Sequence, residues 1–512
     1  MKPNPRMILS LRSLLRVLLL LFVMLYCAKE LQVGLSQLYG NKASNHFMYA
    51  ITGSFGNPGP YGGFLAVGVS ILGAWILSVK AKGKDNNMQK VLYWFVFVTV
   101  FFATVLLPST QSRSAVLGLG CSAVLFATRN ESVRRKLIPV VRRYGMIIGI
   151  GVLLLGTGAY LFKKPSADGR LFMDRISART MLENGMIGVG TGHFGAAYGE
   201  TQARYFERQI AERGKDDLDW RALNEHDRMT AECPDNAFNE YLFIGVENGL
   251  IAMLLFCGII LVSIVVAYRN NSVWCYGLTA FAVFALFSYP LHVWQFQILL
   301  PILVAACLLS ADRSKRKESS VSIATLVLFL GCLSWTLFTR LPDMQQRKSA
   351  EKEWKKAERW HNMEYYEYVV EDCEPLLAYM KHDRGFLFAY GQSLNKTGQY
   401  EKSDSILKLG TEISSDPMFW NVMGNNSLAL GRYREAEERY KHAFYMVPNR
   451  LYPLTLLAKL YHAEGDTVRF LDMAEKVETF VPKIENANTK RLREEIRDIK
   501  AGYTNNRKLT DE

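Results

Sequence analysis

Arg170, Arg175 and Arg179 lie close together in one polar stretch of the chain, with Arg175 and Arg179 one helical turn apart. Guanidinium forks match phosphate oxygens bidentately, so the three would make a cationic surface suited to a phosphate or diphosphate. A fourth arginine stands in Ser112-Arg113-Ser114 between two apolar runs. Charge at such depth is costly and usually functional, and a snorkelling structural arginine is the alternative. Glu240 and Glu247 open an apolar run seven residues apart, on nearly one helical face, and acids there need partners such as Arg113 and Arg170. Asn57 sits in TGSFGNPGPYGGFL, residues 52 to 65, where broken backbone at a helix mouth suggests a pocket as readily as a tight turn. The glycine run of GVGTGHF, which ends in His193-Phe194, follows no strand and is not a dinucleotide fingerprint. No metal is expected: HExxH is absent, and Asp217-x-Asp219 reads as solvated surface.

Two regimes of composition position these residues. Residues 1–340 are dominated by apolar stretches at about 13–33, 62–79, 91–107, 115–128, 145–162, 240–268, 273–289, 292–310 and 321–339, which predicts about nine spans. Residues 341–512, from Leu341-Pro342 onward, are charged and aromatic and contain no spanning run. The net charge of +13 does not argue for nucleic acid, because many basic residues sit in short loops between apolar stretches. Lys80, Lys82, Lys84 and Lys90, the cluster Arg129 to Arg143, Arg269, and Arg313 to Lys317 all share a side with a cytoplasmic N-terminus. The same assignment puts the loops 34–61 and 163–238 and the whole tail outside. The N-terminal run lacks a cleavage site and reads as an uncleaved first span. Of eight cysteines only Cys233 and Cys373 would face an oxidising compartment, and spacing alone does not pair them.

The tail repeats with a period of about 33 to 34 residues over 384–483. Gly391, Gly424 and Ala458 share one phase, and Gly398, Gly431 and Gly465 another. Trp420, Gly424, Gly431, Tyr433, Ala436, Tyr440, Ala443 and Pro448 stand at tetratricopeptide spacings, and Trp354 to Leu377 reads as a degenerate first unit. The aromatics are expected to be core, and the concave surface of such a solenoid suits a protein partner.

In this order and topology the motifs resemble the O-antigen ligase and polysaccharide polymerase family. TGSFGNPGPYGGFL resembles its Gly-Phe-Asn-Pro loop, SRSA its Ser-Arg element, DGR with ENGMIGVGTGHF its Gly-Arg and glycine-rich segment, and AFNEYLFIGVENGL its Asn and Glu-x-Gly-Leu segment. The resemblance covers residues 30 to 310. It implies an all-α fold: a polytopic, GT-C-like transmembrane bundle of a bacterial inner membrane, here followed by a soluble periplasmic α-solenoid. It also implies transfer of a glycan from an undecaprenyl-diphosphate carrier to an acceptor hydroxyl, without a metal or other cofactor. Arg113 and Arg170 would hold the diphosphate, and Asn239 would help shape the site.

One departure concerns the base. The family's ligases place histidines just before that asparagine, and here the positions read Asn236-Ala237-Phe238-Asn239. Asp235, Glu240, His193 and His226 are the substitutes, and Asp235 is favoured, since burial lifts a carboxyl toward the range of a useful base. The acceptor is open among a lipid, a growing glycan chain and a protein hydroxyl, which correspond to a ligase, a polymerase and an O-oligosaccharyltransferase. A non-catalytic scaffold or transporter is the reading of another class, and it predicts that the outer arginines are dispensable.

Overall fold

The structure is a computed structural model that describes residues 5–80, 87–213, 218–311, 316–340 and 344–510. Lys82, Lys84, Asp217, Arg313 and the Leu341-Pro342 boundary lie outside the described residues. Among those described, helix is the regular secondary structure and there is no strand.

In chain order the helices are α1 (Pro5–Leu38), α2 (Pro58–Lys80), α3 (Asn87–Leu106), α4 (Arg113–Arg129), α5 (Glu131–Phe162), α6 (Lys164–Asn184), α7 (Phe194–Glu212), α8 (Glu225–Thr230), α9 (Glu240–Arg269), α10 (Trp274–Ala285), α11 (Trp294–Leu308) and α12 (Arg316–Arg340). They continue as α13 (Met344–Asn362), α14 (Tyr366–Cys373), α15 (Leu377–Met380), α16 (Arg384–Lys396), α17 (Tyr400–Thr411), α18 (Met418–Ala429), α19 (Tyr433–Met446), α20 (Tyr452–Glu464), α21 (Thr467–Thr479) and α22 (Ala487–Thr510). The chain divides into two compact units. The first comprises Met1–Lys164, Ala237–Ile244 and Ile251–Thr336; the second comprises Pro165–Asn236, Gly245–Leu250 and Leu337–Glu512.

Every apolar segment expected from the sequence falls on a helix. Among the described residues, five stretches are long and apolar enough to cross a membrane by length and composition: Val17–Leu38, Pro58–Ser78, Lys90–Thr110, Glu131–Gly158 and Glu240–Arg269. Trp274–Ala285, Trp294–Leu308 and Ser319–Ser334 are apolar but shorter. The basic cluster expected in a short loop lies instead inside α5. Asn130 caps that helix by accepting from Val133 N (3.1 Å), and Arg134, Arg135 and Lys136 are good helix formers, so the helix runs through the cluster even though Pro139 lies within it.

In the first unit α2 is central, packed on α1, α3, α4 and α10. Apolar helices gain nothing from leaving lipid for one another, so close approach by small residues must hold them. A Cβ on Gly63 would stand 2.5 Å from the Phe284 ring, and one on Gly118 would stand 2.7 Å from Ala280 O. Phe55, Phe64, Phe281, Phe284 and Phe296 fill the space so defined, with centroids 5.6 to 6.3 Å apart. The outer faces of α3, α5 and α9 leave Trp94, Phe101, Ile147, Leu153, Leu254 and Leu261 exposed, as lipid-facing surface does.

In the second unit α16 packs on α17, α18 on α19 and α20 on α21, and each pair packs on the next. One glycine phase allows the crossing: Gly391 lies under Leu407 and Gly424 under the Tyr440 ring, while Ala458 is fully buried. In the other phase Gly398, Gly431 and Gly465 have φ of 79°, 71° and 81° and end the first helix of each pair in the left-handed conformation that only glycine adopts cheaply. Pro448 and Pro482 follow the ends of α19 and α21. The stretch 163–238, expected as a loop, is largely the helices α6, α7 and α8. Cys233 and Cys373 are both free thiols.

Candidate functional site

The candidate residues divide between the two units. In the first, two polar side chains of α1 hold the loop that enters α2. Gln37 accepts from Thr52 N (2.9 Å) and Gly53 N (2.8 Å) and donates to Gly53 O (2.9 Å). Glu30, fully buried, accepts from Ser54 N (3.0 Å) and Ser54 Oγ (2.8 Å), and the Tyr61 hydroxyl donates to the Glu30 carbonyl (3.1 Å). From α11, Gln295 Nε2 donates to Ser54 Oγ (3.2 Å). A buried carboxylate is tolerable only when its lone pairs are used, and here the N–H and hydroxyl of Ser54 use them. Asn57 Oδ1 accepts from Gly59 N (2.9 Å), so its side chain turns the chain into α2.

Arg113 is the first residue of α4, half-buried, after Ser112, which accepts from Ala115 N (3.4 Å). Asn239 caps α9 through Leu242 N (3.3 Å). Before it, Phe238 holds φ of 48°, a left-handed conformation costly for a bulky residue and common at functional sites. Glu240 is buried; Leu291 N donates to it at 2.9 Å, and His292 Nδ1 stands 3.8 Å from its Oε1.

In the second unit the arginines of α6 separate. At about 100° per residue, Arg170 is roughly 140° around the helix from Arg175 and about 180° from Arg179. The single cationic surface expected from sequence is therefore split. Arg175 Nη1 lies 3.4 Å from Asp227 Oδ2. Arg179 Nε lies 3.2 Å from Glu183, which also takes Arg204 at 2.7 Å. Both guanidiniums rest over the Tyr205 ring, 5.1 and 5.9 Å from its centroid, and the Tyr205 hydroxyl donates to Asp227. Burial, with Asp227 adding to it, pushes the Tyr205 hydroxyl up to about 12. Burial works against the charged form of Glu183, but Arg204 and Arg179 outweigh it and hold the carboxyl below its ordinary range. Arg175 and Arg179 thus fasten α6 to α7 and α8, while Arg170 points elsewhere on α6. His226 Nε2 is 3.9 Å from the buried Asp168.

The glycine run locks onto the start of α9. Val189 N donates to Val246 O (2.9 Å), Gly190 N to Glu247 O (2.9 Å) and Gly192 N to Glu247 Oε1 (2.8 Å), so two main-chain carbonyls and one carboxylate oxygen of the chain itself take these donors. A Cβ at Gly188 would lie 2.5 Å from Gly249 N, and both glycines have positive φ, 80° and 85°. His193, just before α7, bonds Glu412 O through Nδ1 at 2.7 Å. Asp235 forms an ion pair with Arg384. Burial lifts the Asp235 carboxyl above its ordinary range; Arg384 opposes the rise and Asp416 adds to it.

Sequence reasoning missed Glu30, Gln37, Gln295 and His292. Glu30 carried a signal, since an acid inside a predicted span marks a site by default.

Residues 97–257 match the O-antigen ligase family, from within α3 to within α9, and so take in Arg113, Arg170, Arg175, Arg179, Asp235, Asn239, Glu240 and Glu247. No curated protein matches the chain. With the apolar helices, the match supports a membrane protein of surface polysaccharide assembly, and glycosyl transfer as its activity.

Proposed function

We propose that the protein transfers a glycan from an undecaprenyl-diphosphate carrier to an acceptor hydroxyl at the periplasmic face of the bacterial inner membrane, with its N-terminus cytoplasmic and its helical tail periplasmic. The observation that carries this reading is the family match over 97–257, which contains both Arg113 and Arg170. Displacement at the anomeric carbon releases a diphosphate whose growing negative charge needs fixed cations. A pre-positioned guanidinium meets that charge without reorganisation. Arg170 is assigned the role because it stands in Asp168-Gly169-Arg170, which resembles the family's Gly-Arg element; Arg175 and Arg179 pair with Asp227 and Glu183. Arg113, half-buried at the start of α4, is the second candidate.

Asp235 is assigned as the base that takes the acceptor proton, because it adjoins Asn236–Asn239, the stretch in which the family's ligases place histidines, and its carboxyl is raised above its ordinary range despite the ion pair with Arg384. Asn239 and Glu240 shape the start of α9, the former as its cap. Asn57, His193 and Glu247 act through structure: each holds a turn or helix end that the site needs. The tail resembles a tetratricopeptide solenoid.

The test is the surface polysaccharide of a deletion strain complemented with wild type, Arg170→Ala, Arg175→Ala or Asp235→Asn at equal membrane levels. Arg170→Ala and Asp235→Asn are expected to lose the product and accumulate lipid-linked glycan, whereas Arg175→Ala keeps most of it. The band pattern distinguishes ligase from polymerase. Full restoration by Arg170→Ala and Asp235→Asn would favour a scaffold.

A further inference from the structure

Between α8 and α9 the chain runs through residues 231–235, Ala-Glu-Cys-Pro-Asp, without helical structure. This stretch meets the tail at one phase of the repeat. Ser415, Asn449 and Lys483 are 34 residues apart, Arg450 adjoins Asn449, and Arg384 stands 31 residues before Ser415. All lie in the turns that lead from one helix pair into the next, or on the first residue of the new helix. Asp235 pairs with Arg384. The Pro234 carbonyl accepts from Ser415 Oγ (3.2 Å). Cys233 Sγ takes Arg450 Nη2 (3.2 Å), and Glu232 pairs with Lys483. Each step back along the segment thus reaches a contact one repeat further along the tail. Asn449 Nδ2 then closes the row on two main-chain carbonyls, of Ala231 (2.8 Å) and Arg228 (2.9 Å).

These are the contacts by which a protein reads an extended peptide: side-chain amides and hydroxyls on main-chain carbonyls, and cations on the acids. Ser415 and Asn449 are themselves buried, so their bonds to the segment are not exchanged with water. On the same side Arg228, also buried, donates to Val481 O (2.8 Å) and lies over the rings of Trp220 and Phe480, 4.9 and 5.4 Å from their centroids. We infer that this row of turns is a peptide-reading edge whose resident ligand is the chain's own segment 228–235, so that the repeats act in cis as a brace on that segment and do not use this edge to recruit another protein. The inference does not rest on the reaction assigned to the protein, although its segment ends on Asp235, the residue assigned as base, and its readout does not depend on activity.

The test is hydrogen–deuterium exchange of the full-length protein in detergent micelles, comparing wild type with Asn449→Ala and with Arg434→Ala, an exposed tail residue outside the row. In Asn449→Ala, amides of 228–236 are expected to exchange at least about tenfold faster than in wild type while α18 and α19 keep their protection; Arg434→Ala changes neither. If Asn449→Ala loses the protection of α18 and α19 as well, Ser415→Ala, which gives up only the bond to Pro234, replaces it with a smaller rise in the same segment. Unchanged exchange of 228–236 in a folded row variant, or a segment as unprotected in wild type as a free peptide, would overturn the inference.

Discussion

The two units are built from the same secondary structure by opposite means. In the first, the buried acids and amides hold loop and main chain: Glu30 and Gln37 on the loop before α2, Glu240 on Leu291. In the second, they are many and paired with each other, as in Arg179–Glu183–Arg204 and the cluster of Arg469 with Glu437, Glu464 and Asp466. The difference follows from the solvent. In lipid a polar group has no alternative partner, so each one kept inside is committed to a backbone that would otherwise be unsatisfied. In water an ion pair competes with hydration and is individually weak, so stability comes from repeated packing and the ion pairs fix geometry. Apolar residues in the first unit face outward as well as inward, whereas in the second Phe386, Tyr390, Phe419, Tyr440 and Phe470 are internal.

The sharpest break of this contrast is Glu30→Leu. It leaves the Ser54 N–H and hydroxyl without their acceptor, and a loss of about 2–4 kcal/mol is expected, read as a lower unfolding temperature in detergent. Glu30→Gln, which keeps an acceptor, recovers much of it. An unchanged temperature for Glu30→Leu would mean that the first unit does not depend on its buried polar groups.

Next in size is Gly424→Ala. The new Cβ would enter the Tyr440 ring, and overpacking of that kind costs about 1–3 kcal/mol. A tail held mainly by ion pairs would not notice it.

The contrast also explains what could be read from the sequence. The positions of the apolar helices and the glycine phases of the tail were legible because each is a signal set by local chemistry, hydropathy in one case and helix crossing in the other. Residue types at the site were legible too, but their use was not. Arg175 and Arg179 looked like phosphate ligands, but α8 brings Asp227 to Arg175, and Glu183, one turn further along α6 itself, takes Arg179. The glycine run matched no fingerprint, and its partner Glu247, which takes Gly192 N, is distant in sequence. The row of Ser415, Asn449 and Lys483 on residues 228–235 joins positions about two hundred residues apart, and no periodicity within either stretch announces the other.

A smaller effect is expected from pH on the second unit. Glu183 has its carboxyl lowered by Arg204 and Arg179, so its contribution is present above the ordinary carboxylate range and is lost as pH falls through the lowered value. Glu183→Gln removes that dependence and costs less than about 1 kcal/mol, measurable as convergence of wild-type and variant unfolding temperatures at acid pH. Persistence of the difference at the lowest pH would assign Glu183 a packing role instead.

The smallest change belongs to Arg175→Ala. Its guanidinium is largely exposed and its pair with Asp227 is long at 3.4 Å, so about 0–1 kcal/mol is expected, decreasing with added salt. A loss of product as deep as that of Arg170→Ala would join the two sides of α6 into one site and undo the separation between fastening and functional arginines.

The central claim is met most directly by the purified protein in liposomes supplied with an undecaprenyl-diphosphate-linked glycan and a candidate acceptor, with release of undecaprenyl diphosphate and glycan transfer measured together. Wild type is expected to release the carrier in step with transfer, and Arg170→Ala to fall by about a hundredfold or more while remaining folded. Release and transfer undiminished in Arg170→Ala, or a folded wild type that catalyses neither with any of the three acceptor classes, would contradict the assignment.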